Sequence, residues 1–439
     1  KSRFTSFSRV STTPSFSPRS LATAKISSRN TLLPVSVGPW TAAGNNKILF
    51  SIPSYRNSFV DTKRSYLRFD FQLNSAASRV FRNSVAPFRR MVVRDSRGQI
   101  LEDVTDYSTL CKLKDVMKTE ADLKSQLGTT RSNYVVGKDA EYTAPVPVIH
   151  KLQSGLLGEQ QQFYIPLNQL MTVGGFALQV ELTLADDVQV CYSTDAVDAS
   201  YQISNCAWEM ELLELSDELM RDVNGELRKG KQISIPYKSV RTHIDQMATG
   251  SQFNLKIHES AHNIDTVMSV IRTAAPTSQT SISNKIPLND PYTFYGGSQV
   301  LDANSNVAAA SWHLTKYSFK VANKFYPNAP VEMESNKALA LQNAITTLDL
   351  KEPFLGTPFE VANGFGTNFE LRDFCVVQSF KATSDPNLQN GLNLSATAAP
   401  IELNLEFSSG ASGKECVSFI EQQNTLFIKG DGSSSVIKG

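Results

Sequence analysis

The sequence predicts an all-β chain folded as two antiparallel β-sandwiches in series, with a few short helices in the loops. Apolar residues recur at every second position in short runs closed by turn residues, which is the pattern of strands with one face in a core and one face wet. No strand–helix–strand alternation recurs, which argues against a parallel α/β fold. The chain has 439 residues, more than one ordinary core holds.

The first forty residues stand apart. Lys1, Arg3, Arg9, Arg19, Lys25 and Arg29 are scattered through a Ser/Thr-rich stretch, and no Asp or Glu occurs before Asp61. Such a segment buries too little apolar surface to offset its chain entropy, so residues 1–40 are expected to be disordered on their own. Three readings stay open: an organelle transit peptide, an arm that orders on a neighbouring subunit or on phosphate, and a solvated tail. The chain opens on Lys1 rather than Met, so a missing or removed upstream segment is expected.

Strands follow in order. Ile48, Phe50 and Ile52 alternate up to Pro53, and Leu67, Phe69, Phe71 and Leu73 alternate next. Met91-Val92-Val93 is a short apolar run before the turn Ser96-Arg97-Gly98. Phe176, Leu178, Val180, Leu182 and Leu184 give the longest strict alternation, and the pattern continues through Val188, Val190 and Tyr192. Trp208, Met210 and Leu212 alternate again. Helical spacing is local: Val104, Tyr107, Leu110, Cys111 and Leu113 share a face, with Asp103 or Thr105 as N-cap. Ser216 caps a second helix that ends at Gly230, and the Ala/Leu-rich stretch from Ala338 to Leu348 predicts a third.

The chain repeats itself. ILFSIPSY ends at Tyr55 and is followed by FDFQL at Phe69 to Leu73; QISIPY ends at Tyr237 and is followed by FNLKI at Phe253 to Ile257. The Pro-to-Phe spacings are 16 and 17 residues and the offset between the prolines is 183, the size of one sandwich domain. The joint is expected near Gly225 to Gly230, giving an arm (1–40), a first domain (41–228) and a second (229–439).

Composition narrows function. A formal net charge of +1 gives no global reason to expect a nucleic-acid or membrane binder. Cys111, Cys191, Cys206, Cys375 and Cys416 are scattered and lack a Cys-x-x-Cys pair. They read as buried apolar residues in a reducing compartment, with neither a disulfide framework nor a four-thiolate zinc site. No apolar run approaches the ~20 residues that span a bilayer, so a soluble chain is expected.

RNSFVDTKRSYLRFDFQLN and FRRMVVRDSRGQILEDVTDYSTLCKL resemble the first domain of double jelly-roll major capsid proteins of eukaryotic double-stranded DNA viruses, of the polinton-like virus and virophage type. The resemblance rests on Ser65-Tyr66-Leu67, Gly98, Glu102-Asp103 and Tyr107. In the second half, Phe325-Tyr326-Pro327 and Pro330 resemble the family's aromatic-Pro element before a helix, and PIELNLEFSS and NTLFIKGDGSSSVI resemble its last two strands. The order of these pieces, from about residue 46 onward, carries more than any one of them, and the arm lies outside the resemblance. It implies two jelly rolls per chain, homotrimeric pseudo-hexameric capsomers tiling an icosahedral shell, and a place in the virion. Neighbouring capsomers, minor capsid and penton proteins, and packaged DNA through the basic arm are the implied partners. Loops 193–205, 275–310 and 350–370 are then expected to project from the sandwich ends or cross into neighbours.

No catalytic, cofactor or metal-binding residue is expected. His258-Glu259-Ser260-Ala261-His262 has the HExxH pattern, in which histidines one helical turn apart hold zinc and the glutamate activates water. Phe253, Leu255 and Ile257 alternate straight into His258, which places it at a strand exit. Asp265 and Met268 stand where a metzincin needs Gly and His, and a glutamate ligand would have to come from Glu332 or beyond. Gly410 to Lys414 lacks phosphate-loop spacing and is followed by Glu415; Gly364-Phe-Gly366 lacks a third glycine. No Gly-x-Ser-x-Gly elbow occurs. His150, His243 and His313 are isolated, Trp40, Trp208 and Trp312 fit core packing, and Asp186-Asp187 reads as a solvated turn. The rival functions are a lectin-like carbohydrate- or receptor-binding protein of two sandwiches and a zinc protease.

Overall fold

The computed structural model describes residues 24–437 apart from 56–57, 81–86, 117–142, 159, 194–197, 274–293, 298, 302–306, 334–338, 340–342, 344–346, 348–373, 382–390, 396–398 and 412. The first half contributes β1 (Ala24–Leu32), β2 (Trp40–Thr41), β3 (Lys47–Ile52), β4 (Ser58–Leu73), β5 (Ser78–Val80), β6 (Phe88–Asp95), β7 (Ile100–Thr105), β8 (Val146–His150), β9 (Leu178–Leu184), β10 (Cys191–Ser193) and β11 (Tyr201–Leu215). The second contributes β12 (Ile233–Met247), β13 (Gly250–Ile257), β14 (Ile264–Thr273), β15 (Gln299–Leu301), β16 (Val307–Ala309), β17 (Leu314–Val321), β18 (Lys324–Glu332), β19 (Val376–Ser379), β20 (Ile401–Ala411), β21 (Lys414–Ile428) and β22 (Ser434–Ile437). Among the described residues, α-helices with both ends defined are α1 (Tyr107–Val116), α2 (Asp187–Val190) and α3 (Asp217–Arg228).

In the first half the sheets run β1-β11-β4-β8, with β2 also on β11, and β3-β9-β6-β7. In the second they run β12-β21-β14-β19, with β22 on β21, and β13-β20-β17-β18. β5 with β10 and β15 with β16 form small side pairs. Counting β1 and β2 as one interrupted strand and leaving out the side pairs and β22, the described residues of each half give eight strands in the same arrangement. One sheet reads first, eighth, third, sixth; the other reads second, seventh, fourth, fifth. That is the jelly-roll order, and every ladder is antiparallel.

The alternating residues turn inward as expected. Ile48, Phe50 and Ile52 are buried on β3, Leu67, Phe69, Phe71 and Leu73 on β4, and Trp208, Met210 and Leu212 on β11. Phe50 and Trp208 meet edge-to-face across the sandwich, 5.9 Å between centroids. Residues of both halves join one contiguous apolar cluster, which includes Leu101 and Leu156 with Ile235 and Tyr237.

Several expectations are corrected. The repeat is real but displaced by one strand: β3 and β4 are the second and third strands of their sandwich, whereas β12 and β13 are the first and second of theirs. The equivalent of β12 is β1, so residues 24–40 of the 1–40 arm belong to the first sandwich. Polar composition concealed β1 because its partners are the acidic side chains of β11. The alternation beyond Leu184 does not stay extended: Asp186 closes the strand, α2 follows, and Gln189 N–H reaches Asp186 O at 2.8 Å. α1 begins at Tyr107, since β7 runs through Val104 and Thr105. Asp106, in the left-handed region at φ 54°, makes the break, and Thr109 Oγ1 donates to its carboxylate at 3.0 Å. α3 ends before Gly230 (φ 82°), as expected from a glycine C-terminal signal. Phe325-Tyr326-Pro327 and Pro330 lie within β18, an edge strand where proline is tolerated. The closing run holds the end of β21, a turn and β22. The 338–348 helix falls largely outside the described residues, as do loop 350–370, most of 275–310 and Gly364-Phe-Gly366.

Candidate assembly interface

The candidate catalytic groups do not converge. Residues 258–263 link β13 to β14 without helix, so the two imidazoles lack the one-turn spacing that zinc chelation requires. His262 Nδ1 instead lies 2.8 Å from Ser395 Oγ, and the N–H groups of Leu394 and Ser395 donate to Ala261 O. Glu332 pairs with Lys316 at 3.9 Å. Among the described residues, no three His, Cys, Asp or Glu side chains cluster as a metal site would.

Gly410 lies near the end of β20 and Lys414 opens β21, strands of two different sheets, so no helix follows as a phosphate loop requires. Lys414 Nζ donates to Thr273 Oγ1 at 2.9 Å and sits 3.9 Å from the Tyr295 ring centroid; burial draws its pKa down to about 8. His150 Nε2 pairs with Tyr107 Oη at 2.9 Å, His243 with Asp245 at 3.2 Å, and His313 Nδ1 with Ser408 Oγ at 3.1 Å. Asp187 accepts Tyr201 N–H at 3.2 Å and Asp186 faces Arg89 at 3.5 Å. All five cysteines are buried and outside any disulfide, and burial pushes the Cys206 and Cys416 thiols up to about 12. Thiols held that far from ionisation are poor nucleophiles. Among the described residues, no helix is long and apolar enough to cross a membrane.

The converging chemistry is the junction of the two sandwiches. Glu102 on β7 is wholly buried; its carboxylate accepts Gly155 N–H at 2.8 Å and Ser154 Oγ–H at 2.5 Å. Burial lifts its pKa to about 7 against the opposing pull of those hydrogen bonds. A Cβ on Gly155 would lie 1.5 Å from Lys238 O, so only glycine lets this loop rest on β12. Tyr237 and Thr242 of β12 donate to the carbonyls of Leu101 and Thr105, at 2.7 and 2.6 Å. Arg272, at the end of β14, donates to Glu415 at 2.7 Å and to Asp106 at 3.1 Å, and also bonds Thr109. Lys114 of α1 pairs with Glu421 of β21, and that attraction holds the Glu421 carboxyl down to about 2 although burial opposes it. Ser434 donates to Asp95 at 2.6 Å, and Arg97 donates to Ser434 O at 2.8 Å.

Sequence reasoning singled out Glu102 and Asp103 as a pair but gave them no role. It missed Arg272, whose signal was a lone guanidinium closing the apolar run VMSVIRT. Both sandwiches are thus stitched side by side by buried polar contacts, which cost desolvation and in return fix register.

The outer faces differ in character. Across β13, β20 and β17 lies a shallow groove of about 300 Å³ lined by Asn254, Asn404, Ser318, Lys316, Glu406 and Pro330, with Asn254 donating to Asn404 at 2.8 Å. Just after β1, Leu33, Val35 and Val37 are 66%, 61% and 86% exposed, an apolar stripe at alternate positions of one segment.

No family model and no curated protein matches this sequence. Solved structures do match it by shape. The chain of the PBCV-1 virus capsid superposes with a TM-score of 0.63 at 11% identity, covering 94% of this chain and 97% of that one. The Faustovirus major capsid protein gives 0.57 at 10% identity, covering 95% and 92%. The mavirus major capsid protein gives 0.50 at 12% identity, covering 93% and 90%. At such identities the likeness is one of fold: this chain has the fold of these capsid proteins over nearly its whole length.

Proposed function

We propose that this chain is a viral major capsid protein whose work is assembly rather than turnover. The observation that carries the reading is the duplicated eight-strand order, two jelly rolls joined side by side by a buried polar junction. Three such chains supply six near-equivalent lobes, so a trimer suits a hexagonal lattice position, and cyclic closure ends one repeated interface. The junction ensures that the two lobes of each chain move as a pair. On this reading the protein resides in the virion, meets minor capsid and penton proteins at capsomer edges, and uses the basic segment 1–23 toward a neighbour or packaged DNA. The domain limits that fit are a joint at 228/229, after α3, and a first sandwich that starts at β1 rather than at residue 41.

Light scattering of the purified protein should give three times the chain mass, and negative-stain images should show pseudo-hexagonal particles. A monomer or dimer that binds glycans at the Asn254–Asn404 groove would replace this reading with the carbohydrate- or receptor-binding one.

A further inference from the structure

The strand that opens each sandwich is held differently. β12 buries Ile233, Ile235, Tyr237 and Val240, whereas from Ser27 onward β1 leaves Ser27, Ser28, Arg29 and Thr31 exposed and packs Leu32 against the core. Backbone pairing with β11 runs from Ala24↔Leu215 to Leu32↔Trp208. A polar seam adds to it: Thr31 donates to Glu209 at 2.7 Å, Ser27 donates to Glu211, and Arg29 lies 3.5 Å from Glu211 and 5.5 Å from the Tyr66 ring centroid. Every copy of the chain offers the same acidic strand to the same basic one.

The link behind β1 is short. Val35 N–H is already tied to Leu49 O at 2.7 Å, and Val37 O accepts from Asn45 at 2.9 Å, so the pivot is Leu33-Pro34. A residue before proline is steered toward extended backbone and away from a tight return. At the pivot and just after it lies the exposed stripe of Leu33, Val35 and Val37, which calls for cover.

We propose that β1 is exchanged between copies: the β1 of one chain pairs with β11 of the next, and the Leu33–Val37 stripe lies against the copy that receives it. An exchanged element keeps its contacts, so the balance is set by the pivot and by the new surface covered, and here the new surface is apolar. This deepens the assembly reading and rests on it.

The test uses Ser27→Cys and Leu213→Cys, which face each other across β1 and β11 and are exposed and half-buried respectively. The native cysteines are buried and do not compete. Tagged full-length S27C and untagged L213C chains are co-expressed, oxidised, and run on a non-reducing gel. Exchange gives a covalent heterodimer of the two chain types, and the double variant alone gives a ladder ending at the trimer. Absence of the heterodimer, with only intrachain bonds in a double variant that still assembles by light scattering, overturns exchange and leaves assembly standing. A preparation that stays monomeric overturns both. Should this pair misfold, Thr31→Cys with Glu209→Cys reads the same register.

Discussion

The two sheets of the second sandwich share a chain and a core yet obey different sequence rules. In β13-β20-β17-β18, β20 reads buried, half-buried, buried along Ile401 to Phe407, one face to the core and one to solvent. In β12-β21-β14-β19, β14 is buried at every position from Ile264 to Arg272, and β21 from Glu415 to Gln422. The second face of this sheet is covered by α1 and by the strand edge that carries Glu102. Its polar residues are therefore indoors, and most have partners: Ser269 with Ser418 at 2.8 Å, Asn424 with Ser239 at 2.7 Å, Arg272 with Glu415 and Asp106. A sheet wetted on one face spends its polar residues on water; a sheet covered on both must pair them.

The largest test of that contrast is Arg272→Ala. It would leave the buried Glu415 and the partly buried Asp106 without their counter-charge, and the expected loss is about 3 kcal/mol in denaturant melts. An unchanged midpoint would mean that the doubly covered sheet does not depend on its ion pairs.

Glu102 gives a pH signature of similar size. Its carboxyl holds a proton up to about pH 7 in the folded chain, against an ordinary 4.5. The folded state therefore binds the extra proton between those values. The stabilisation is complete below the ordinary value and drains away as pH rises toward 7, on the order of 3 kcal/mol in all. Glu421, held down to about 2, acts with the opposite sign: its contribution is present above 4.5 and lost as pH falls toward 2. Melts at pH 5 and pH 8 thus leave Glu421 ionised at both values, and comparison with Glu102→Gln cancels Lys414, whose pKa is drawn down to about 8. The wild type should lose stability between them relative to Glu102→Gln, which keeps the size and one accepting oxygen and cannot ionise. Parallel curves would contradict the buried placement of that carboxyl.

Much of the fold was legible where one face is wet. Ile48 to Ile52, Phe69 to Leu73 and Ile401 to Phe407 alternate visibly, and the turn at Gly98 is marked by its residue type. Legibility failed for three physical reasons. β1 is stabilised by main-chain pairing and by acids 180 residues away in sequence, which no local pattern displays. The echo between ILFSIP and QISIPY matched strand chemistry, not position, because any strand with one buried face repeats the same alternation. The junction pairs, Arg272 with Asp106 and Lys114 with Glu421, join residues more than 160 positions apart, and no local pattern marks either pair.

Gln422 is the exception inside the covered sheet. It is fully buried, and neither its amide nitrogen nor its oxygen has a hydrogen-bond partner among the described residues. An unpaired buried amide costs about 1–3 kcal/mol, so Gln422→Met, close in length and apolar, should raise stability by about 1–2 kcal/mol. A loss instead would show that the amide is satisfied in solution.

The smallest effect should come from the wet sheet. Glu402 on β20 faces Lys320 of β17 at 3.5 Å, with both side chains partly exposed. In that setting Coulomb attraction is screened by water and offset by the entropy of pinning two long side chains, so such pairs contribute about 0–1 kcal/mol. Glu402→Ala should shift the denaturant midpoint by no more than that, and the shift should shrink further in high salt. The acid-to-alanine change here removes the same kind of charge that Arg272→Ala would leave stranded in the neighbouring sheet. The ratio of the two losses therefore measures what covering the second face of a sheet does to the worth of an ion pair. Equal losses would mean that water reaches the junction and that the two sandwiches are joined more loosely than their buried contacts require.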